Sequence, residues 1–175
     1  IDNWVRKNSN KKFDKDGLLA NSGIRDEIIF EQAQELYANR NNKKKISFDI
    51  NDFDISFIRG LNFENGVTTL TDFTASIIGE ELSISLKNSK EKIQKILLCG
   101  GGRKNKILIK KITEKLPSSV NLKLIDEYKI DGDFIESQAF AFLAVRSILK
   151  LPISFPNTTG CKKPCVGGKL IKKLN

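Results

Sequence analysis

Histidine and methionine are absent from the 175 residues, proline occurs four times, cysteine three times, and arginine six times against 24 lysines. Without histidine there is no imidazole for a Ser-His-Asp or Cys-His pair, a histidine-bearing zinc site or a histidine general base. Three widely spaced cysteines (Cys99, Cys161, Cys165) make no disulfide framework. Cys161-Lys-Lys-Pro-Cys165 with a distant third thiol falls short of a zinc set. Reduced thiols in a cytoplasmic protein are the expectation. No apolar run approaches the roughly 18–20 residues of a membrane span, so no membrane partner is expected.

The missing methionine has a different meaning. The chain opens Ile1-Asp-Asn-Trp4; removal of a signal peptide and truncation both account for this. Those residues read as a helix entered part-way, which favours an N-terminally truncated chain. The net charge of +9 invites a nucleic-acid reading. Arginine, the residue that grips phosphates and bases bidentately, is scarce here, and aromatics do not interleave with the lysine clusters. A solvated lysine-rich surface is expected instead, with no nucleic-acid partner.

What is present suits a single domain with a real core: 39% hydrophobic and 29% charged residues, with neither repeats nor a low-complexity linker. Ile1 to Lys7 reads as helix, and Asn8 to Gly23 as a polar loop turning at Asp14-Lys-Asp16-Gly17. Asp14 and Asp16 are expected to satisfy local backbone donors, since no Glu stands in the twelfth place of a calcium loop. Ile24 to Ala38 predicts an amphipathic helix with Ile24, Ile28, Ala33 and Leu36 on its apolar face. Asn39 to Lys45 reads as an exposed connection, and Asn51-Asp52 as the cap of a short helix carrying Phe53, Phe57 and Ile58. From Glu64 to Lys87, Val67, Leu70, Phe73, Ile77, Ile78 and Leu82 recur on one face, with Thr69, Asp72, Ser76 and Glu80 off it, which predicts a long helix. Gly79 weakens it locally.

After Ser89 the pattern changes. Lys95 to Cys99 reads as a buried strand running into Gly100-Gly101-Gly102, and Asn105 to Leu116 as a helix stopped by Pro117. Val120 to Ile125 alternates as a strand does. Asp131-Gly132-Asp133 then opens a helix over Phe134 to Leu149, apolar all round and expected to be buried. The tail is loop, with a short strand expected near Lys169 to Lys172. This order predicts an α/β fold with a small sheet and packed helices.

Three places can carry chemistry. The Gly100–Gly102 turn either lets a ligand approach bare backbone or simply joins strand to helix with Asn105 as cap. Its spacing is neither GxGxxG nor a Walker loop. Glu136 opens a very apolar helix, where the helix dipole explains it structurally and a carboxylate close to a core suggests function. Asn157-Thr-Thr-Gly160 can bind a phosphate or sugar, or form a plain turn.

Cys99-Gly-Gly-Gly102, Asn105, Glu136-Ser-Gln-Ala-Phe-Ala-Phe-Leu-Ala144, Arg146, Leu151-Pro152 and Thr158-Thr159-Gly160 resemble the C-terminal part of anhydro-N-acetylmuramic acid kinases. Upstream, Phe13-Asp14-Lys-Asp16-Gly17, Ala20, Gly23, Ser47-Phe-Asp49-Ile-Asn51-Asp52-Phe53 and Thr68-Thr69-Leu70-Thr71 follow the same family's order. The resemblance spans nearly the whole chain and implies the sugar kinase, Hsp70 and actin superfamily. It further implies that residues 1–175 form an RNase H-like (actin-like ATPase) C-terminal lobe. The implied activity is ATP-dependent opening of the 1,6-anhydro ring with phosphorylation at the 6-hydroxyl, giving N-acetylmuramic acid 6-phosphate in peptidoglycan recycling.

By that resemblance Gly100, Gly101, Gly102 and Asn105 match nucleotide-binding positions and Glu136 a sugar-contacting one. ATP and Mg²⁺ are the implied cofactors, a small amino sugar the partner, and a homodimer the assembly. The family's phosphate loop and its Asp-x-Gly-Pro-Gly-Asn motif, which carries the expected catalytic aspartate, belong before Ile1. Asp2 matches a later position, so no catalytic residue is expected in this chain, and the chain alone is expected to be inactive. The family's Pro-Pro-Lys-Ser stands here as Lys44-Lys45-Ile46-Ser47, without its lysine. The rival readings are another sugar kinase of the superfamily, a basic nucleic-acid-binding domain, and a non-catalytic interaction domain.

Overall fold

The computed structural model describes residues 1–41 and 53–171. Its order is α1 (Asp2–Asn8), α2 (Glu27–Asn41), α3 (Phe63–Asn88), β1 (Lys95–Leu98), α4 (Lys106–Thr113), β2 (Asn121–Leu124), α5 (Ile135–Ile148) and α6 (Pro156–Thr159). Single 3₁₀ turns lie at Lys15–Gly17, Ser56–Ile58, Gly101–Lys104 and Ile125–Tyr128. The fold is therefore α/β, with one small parallel sheet and helices packed beside it.

The axis of the fold is α3. Asn62 caps it, its side-chain oxygen accepting from the Asn65 amide at 2.8 Å. Helix α1 crosses it at Gly66, where a Cβ would lie 2.7–2.9 Å from the Trp4 indole. The Trp4 Nε1–H donates to the Phe63 carbonyl at 3.1 Å. Val5, Phe30, Tyr37, Ile58, Val67, Leu70 and Phe73 form the main core with Trp4, Ala20 and Ala33. Burying each large apolar side chain contributes on the order of 1.5–3 kcal/mol. Ala75, Leu108 and Ile112 form a second, smaller cluster where α4 meets α3.

The expected face of α2 is largely wrong. Ile24 precedes the helix, and Ile24, Ile28 and Leu36 stand 77%, 70% and 64% exposed, while Phe30, Ala33 and Tyr37 are buried. Asp26 starts the helix by accepting from the Ile29 amide, which sets the register the apolar count missed. The long helix is as expected, but Thr69, Asp72 and Ser76 are buried rather than off the core. Neighbours cover that side too. The Thr69 hydroxyl accepts from the Asp26 amide, Gln34 donates to Ser76 Oγ, and Asp72 pairs with Lys111 at 2.5 Å. Gly79 admits α4's end: a Cβ there would meet the Lys115 side chain at 2.8 Å.

The sheet pairs β1 with β2 in parallel, Lys95 opposite Asn121 through Leu98 opposite Leu124, with α4 as the crossover. The strand over 95–98 exists but is not buried; Lys95 and Leu97 are exposed and Ile96 and Leu98 half-buried. Helix α5 contradicts expectation more strongly. It has no buried residue, and Phe140, Phe142, Val145 and Ile148 are 55–64% exposed. Composition alone cannot distinguish an apolar helix with a partner from one without. Residues 157–160 form the short helix α6 and its left-handed end rather than a loop, and residues 169–171 form no strand. The connection expected from Asn39 is helix through Asn41. Its remainder, the Asn51-Asp52 cap, Lys44 to Ser47 and Lys172 lie outside the described residues. Phe53 and Phe57 pack on the main core, and the Asp54 side chain accepts from the Ser56 amide at the start of their turn. No helix of the described residues is long and apolar enough to cross a membrane.

Candidate functional site

The Gly100–Gly102 turn leaves β1 and enters α4. Gly100 adopts φ 76°, a conformation open to glycine, and its amide donates to the Gly132 carbonyl at 2.9 Å. Gly101 and Gly102 have ordinary φ, and a Cβ on Gly101 would meet nothing within 4 Å. On Gly102 it would reach only Leu108 Cδ2 at 3.9 Å. Neither backbone strain nor internal crowding therefore requires glycine at 101 and 102. What glycine provides there is bare backbone facing open space, as close approach of a ligand needs.

Asn105 is buried, 8% exposed, and its side-chain oxygen accepts from the Leu108 amide at 3.0 Å. It is the N-cap of α4, and a Cβ on Gly17 would collide with that same oxygen. Of the two readings of Asn105, the geometry supplies the cap. It also docks the Asp14–Gly17 turn against α4. Asp14 is spent locally, accepting from the Leu19 and Ala20 amides at 2.8 and 3.1 Å.

Arg103, which sequence reasoning passed over, anchors the turn. Its side chain is only 5% exposed. Nε and Nη2 donate to the two oxygens of Asp126 at 2.7 and 2.8 Å, and Nη1 donates to Asp133 Oδ1 at 2.5 Å and to the Gly100 carbonyl at 2.9 Å. Lys104 pairs with the other Asp133 oxygen. Hydrogen bonds from Arg103 hold the Asp126 carboxyl far below the ordinary carboxylate range, and those from Arg103 and then Lys104 lower Asp133. Three aspartates within eight residues (Asp126, Asp131, Asp133), after a lone arginine that follows a glycine run, were the signal available in the sequence.

Glu136 sits in the first turn of α5 and is exposed, with Phe134 and Phe140 exposed around it. It is not held against a core as expected. It lies four residues past Gly132, the carbonyl that receives the Gly100 amide, so the glycine turn and the start of α5 are neighbours. In α6 the hydroxyls of Thr158 and Thr159 both donate to the Phe155 carbonyl at 3.1 Å. That is the plain-turn arrangement. All three cysteines are free thiols, and burial followed by the neighbouring Cys161 pushes Cys165 up, the opposite of an activated thiolate. Among the described residues no group of three or more Cys, Asp or Glu is placed to hold a metal ion. Asp126 and Asp133 are committed to Arg103.

The glycine turn is thus open and braced by a buried arginine, and Glu136 stands exposed in the first turn of the helix that follows Gly132. The sequence model of anhydro-N-acetylmuramic acid kinase matches residues 1–173. The chain belongs to the anhydro-N-acetylmuramic acid kinase family. It is 52% identical over 172 residues to the anhydro-N-acetylmuramic acid kinase of Pelagibacter ubique, covering 98% of this chain and 46% of that protein. It is 35% identical to the kinase of that name from Zymomonas mobilis, covering 97% of this chain and 45% of the relative. It is 37% identical to the one from Brucella anthropi, covering 98% and 44%. The chain thus spans less than half the length of these family members.

Proposed function

We propose that this chain is the carboxy-terminal lobe, RNase H-like in fold, of an ATP-dependent anhydro-N-acetylmuramic acid kinase. The observation that carries the reading is the family match over 1–173, together with an open Gly100–Gly102 turn bonded to Gly132 ahead of the helix that bears Glu136. In the reaction, water adds at C1 as the 1,6-anhydro bridge opens, and the freed 6-oxygen takes the γ-phosphoryl group of ATP. N-acetylmuramic acid 6-phosphate and ADP are formed.

In that reaction the bare backbone of Gly101 and Gly102 lies against the nucleotide, and the N–H groups of the turn favour its negative charge. Asn105 keeps α4 capped beneath them, so its contribution to the nucleotide is support of the turn. Glu136 accepts hydrogen bonds from the sugar, a role that suits an exposed carboxylate at a helix start. The aspartate that activates the water is supplied by the remainder of the kinase. Asp126 and Asp133 are committed to Arg103; Mg²⁺ bound with ATP would offset the charge of its phosphates. A cytoplasmic location and a homodimer accompany the proposal through the family resemblance.

A coupled assay of ADP release, with the anhydro-sugar compared against ordinary hexosamines, tests the reading in a complete kinase carrying these residues. The anhydro-sugar is expected to be the preferred substrate. Glu136→Gln is expected to raise its KM by about tenfold or more with little change in the KM for ATP, as loss of one charged hydrogen bond on the sugar requires. Turnover of hexosamines alone would replace the substrate with that of another sugar kinase. An unchanged sugar KM in Glu136→Gln would remove the role of Glu136.

A further inference from the structure

The loop before α5 is tied to the glycine turn by one side chain. Five N–H bonds of a guanidinium lie in a fixed plane, so one arginine can serve several acceptors at once. Arg103 serves three segments. It donates to the Gly100 carbonyl in its own turn, to Asp126 beyond β2, and to Asp133 just ahead of α5. The Gly132 amide reaches Asp126 Oδ1 at 3.4 Å, and the Gly132 carbonyl receives the Gly100 amide at 2.9 Å. Gly132 lies flat on the guanidinium: a Cβ there would fall 2.5 Å from Nε and 2.7 Å from Cζ. Meanwhile α5 has no buried residue to fix it by packing. Towards its other end, Arg146 donates to the Pro152 carbonyl and Ser147 to the Gly167 carbonyl, contacts with the tail rather than with β1 or α4.

We infer that Arg103 is a positioning residue that locks the Gly100–Gly102 turn and the start of α5 into one rigid unit, so that the nucleotide and the sugar-facing Glu136 keep a single relative geometry. What the two segments hold rests on the proposed function; that they are locked together does not. Lysine cannot replace Arg103. A single ammonium has neither the fork that engages both Asp126 oxygens nor the span to reach Asp133 and Gly100 as well. The lock is thus a matter of shape, beyond the charge it carries.

Hydrogen–deuterium exchange on the 175-residue chain tests the lock without substrates. In Arg103→Lys the Gly100 and Gly132 amides are expected to exchange at least about tenfold faster, and in parallel, with α3 amides from Val67 to Phe73 unchanged. Asp133→Asn, which weakens one arm only, is expected to loosen the same two amides by a smaller factor. It decides the matter if Arg103→Lys also exposes α3. Wild-type exchange at either amide in Arg103→Lys, or loosening of one segment without the other, overturns the inference. In the complete kinase, Arg103→Lys is expected to lower kcat about tenfold or more and to raise the KM of both substrates, whereas Glu136→Gln raises that of the sugar alone. An Arg103→Lys enzyme with wild-type kinetics also overturns it. Absence of turnover in the wild-type kinase would instead refute the proposed function and leave the exchange result to decide the lock.

Discussion

Around α3, Val5, Ile58, Val67 and Ala75 have no exposed surface; along α5, Phe140, Phe142 and Val145 are 64%, 61% and 55% exposed. Only the α3 region buries its apolar side chains, although helix α5 is the more apolar in sequence. In the first, α1, α2 and α4 cover α3 on several sides, and Thr68, Thr69 and Asp72 have partners inside. In the second, polar contacts replace packing: Arg103 on Asp126 and Asp133 at one end of α5, Arg146 and Ser147 on the tail at the other. The contrast separates what stabilises the chain from what orients its candidate site. Stability resides in the α3 core, and site geometry in a small polar clamp.

The contrast can be broken most severely in the core. Phe73→Ala removes a ring that is 7% exposed and packs edge-on to Tyr37 and Phe57, and it is expected to cost about 3–5 kcal/mol in chemical denaturation. A loss below about 1 kcal/mol would mean that the core lies elsewhere. Asn105→Ala is expected to cost about 1–2 kcal/mol through the lost cap of α4, measured the same way. The clamp predicts a pH effect with a definite sign. Asp126 and Asp133 are held below their ordinary values by Arg103, so their stabilisation is complete above the ordinary Asp range and is lost as pH falls beneath it. Protection of the Gly100 and Gly132 amides should hold from pH 7 to 5 and fall only below about pH 4, after correction for intrinsic exchange. Loss of protection between pH 7 and 5 would contradict the clamp. The smallest effect on stability belongs to α5. Phe142→Ser with Val145→Ser should shift unfolding by no more than about 0.5 kcal/mol, since neither side chain is buried, yet reduce binding of an apolar dye.

Much of the architecture was legible from periodicity and punctuation. The long helix α3 and the strand–glycine–helix order around Gly100 follow from local signals, which left Asn105 open between cap and ligand contact until its bond to the Leu108 amide decided for the cap. The failures share one cause: tertiary partners decide which side of an element is inside. Thr69, Asp72 and Ser76 look solvent-facing until Asp26, Lys111 and Gln34 are placed beside them. Ile24, Ile28 and Leu36 look like a core face until Asp26 sets where α2 begins. An apolar run such as Ala139 to Val145 records that a surface resists water, not that this chain covers it. At the site, the glycine turn and Glu136 were readable as residue types with open roles. Arg103 was not, because a single arginine gains meaning only when Asp126 and Asp133 fold back onto it.

These residues are proposed to belong to a kinase acting on the anhydro-sugar. The most direct measurement is mass spectrometry of the product formed by the complete kinase from ATP and 1,6-anhydro-N-acetylmuramic acid in ¹⁸O-labelled water. N-acetylmuramic acid 6-phosphate carrying one solvent-derived oxygen at C1 is expected, with ADP formed in equal amount. An unopened, phosphorylated anhydro-sugar, or phosphorylation of ordinary hexosamines with the anhydro-sugar untouched, would contradict it.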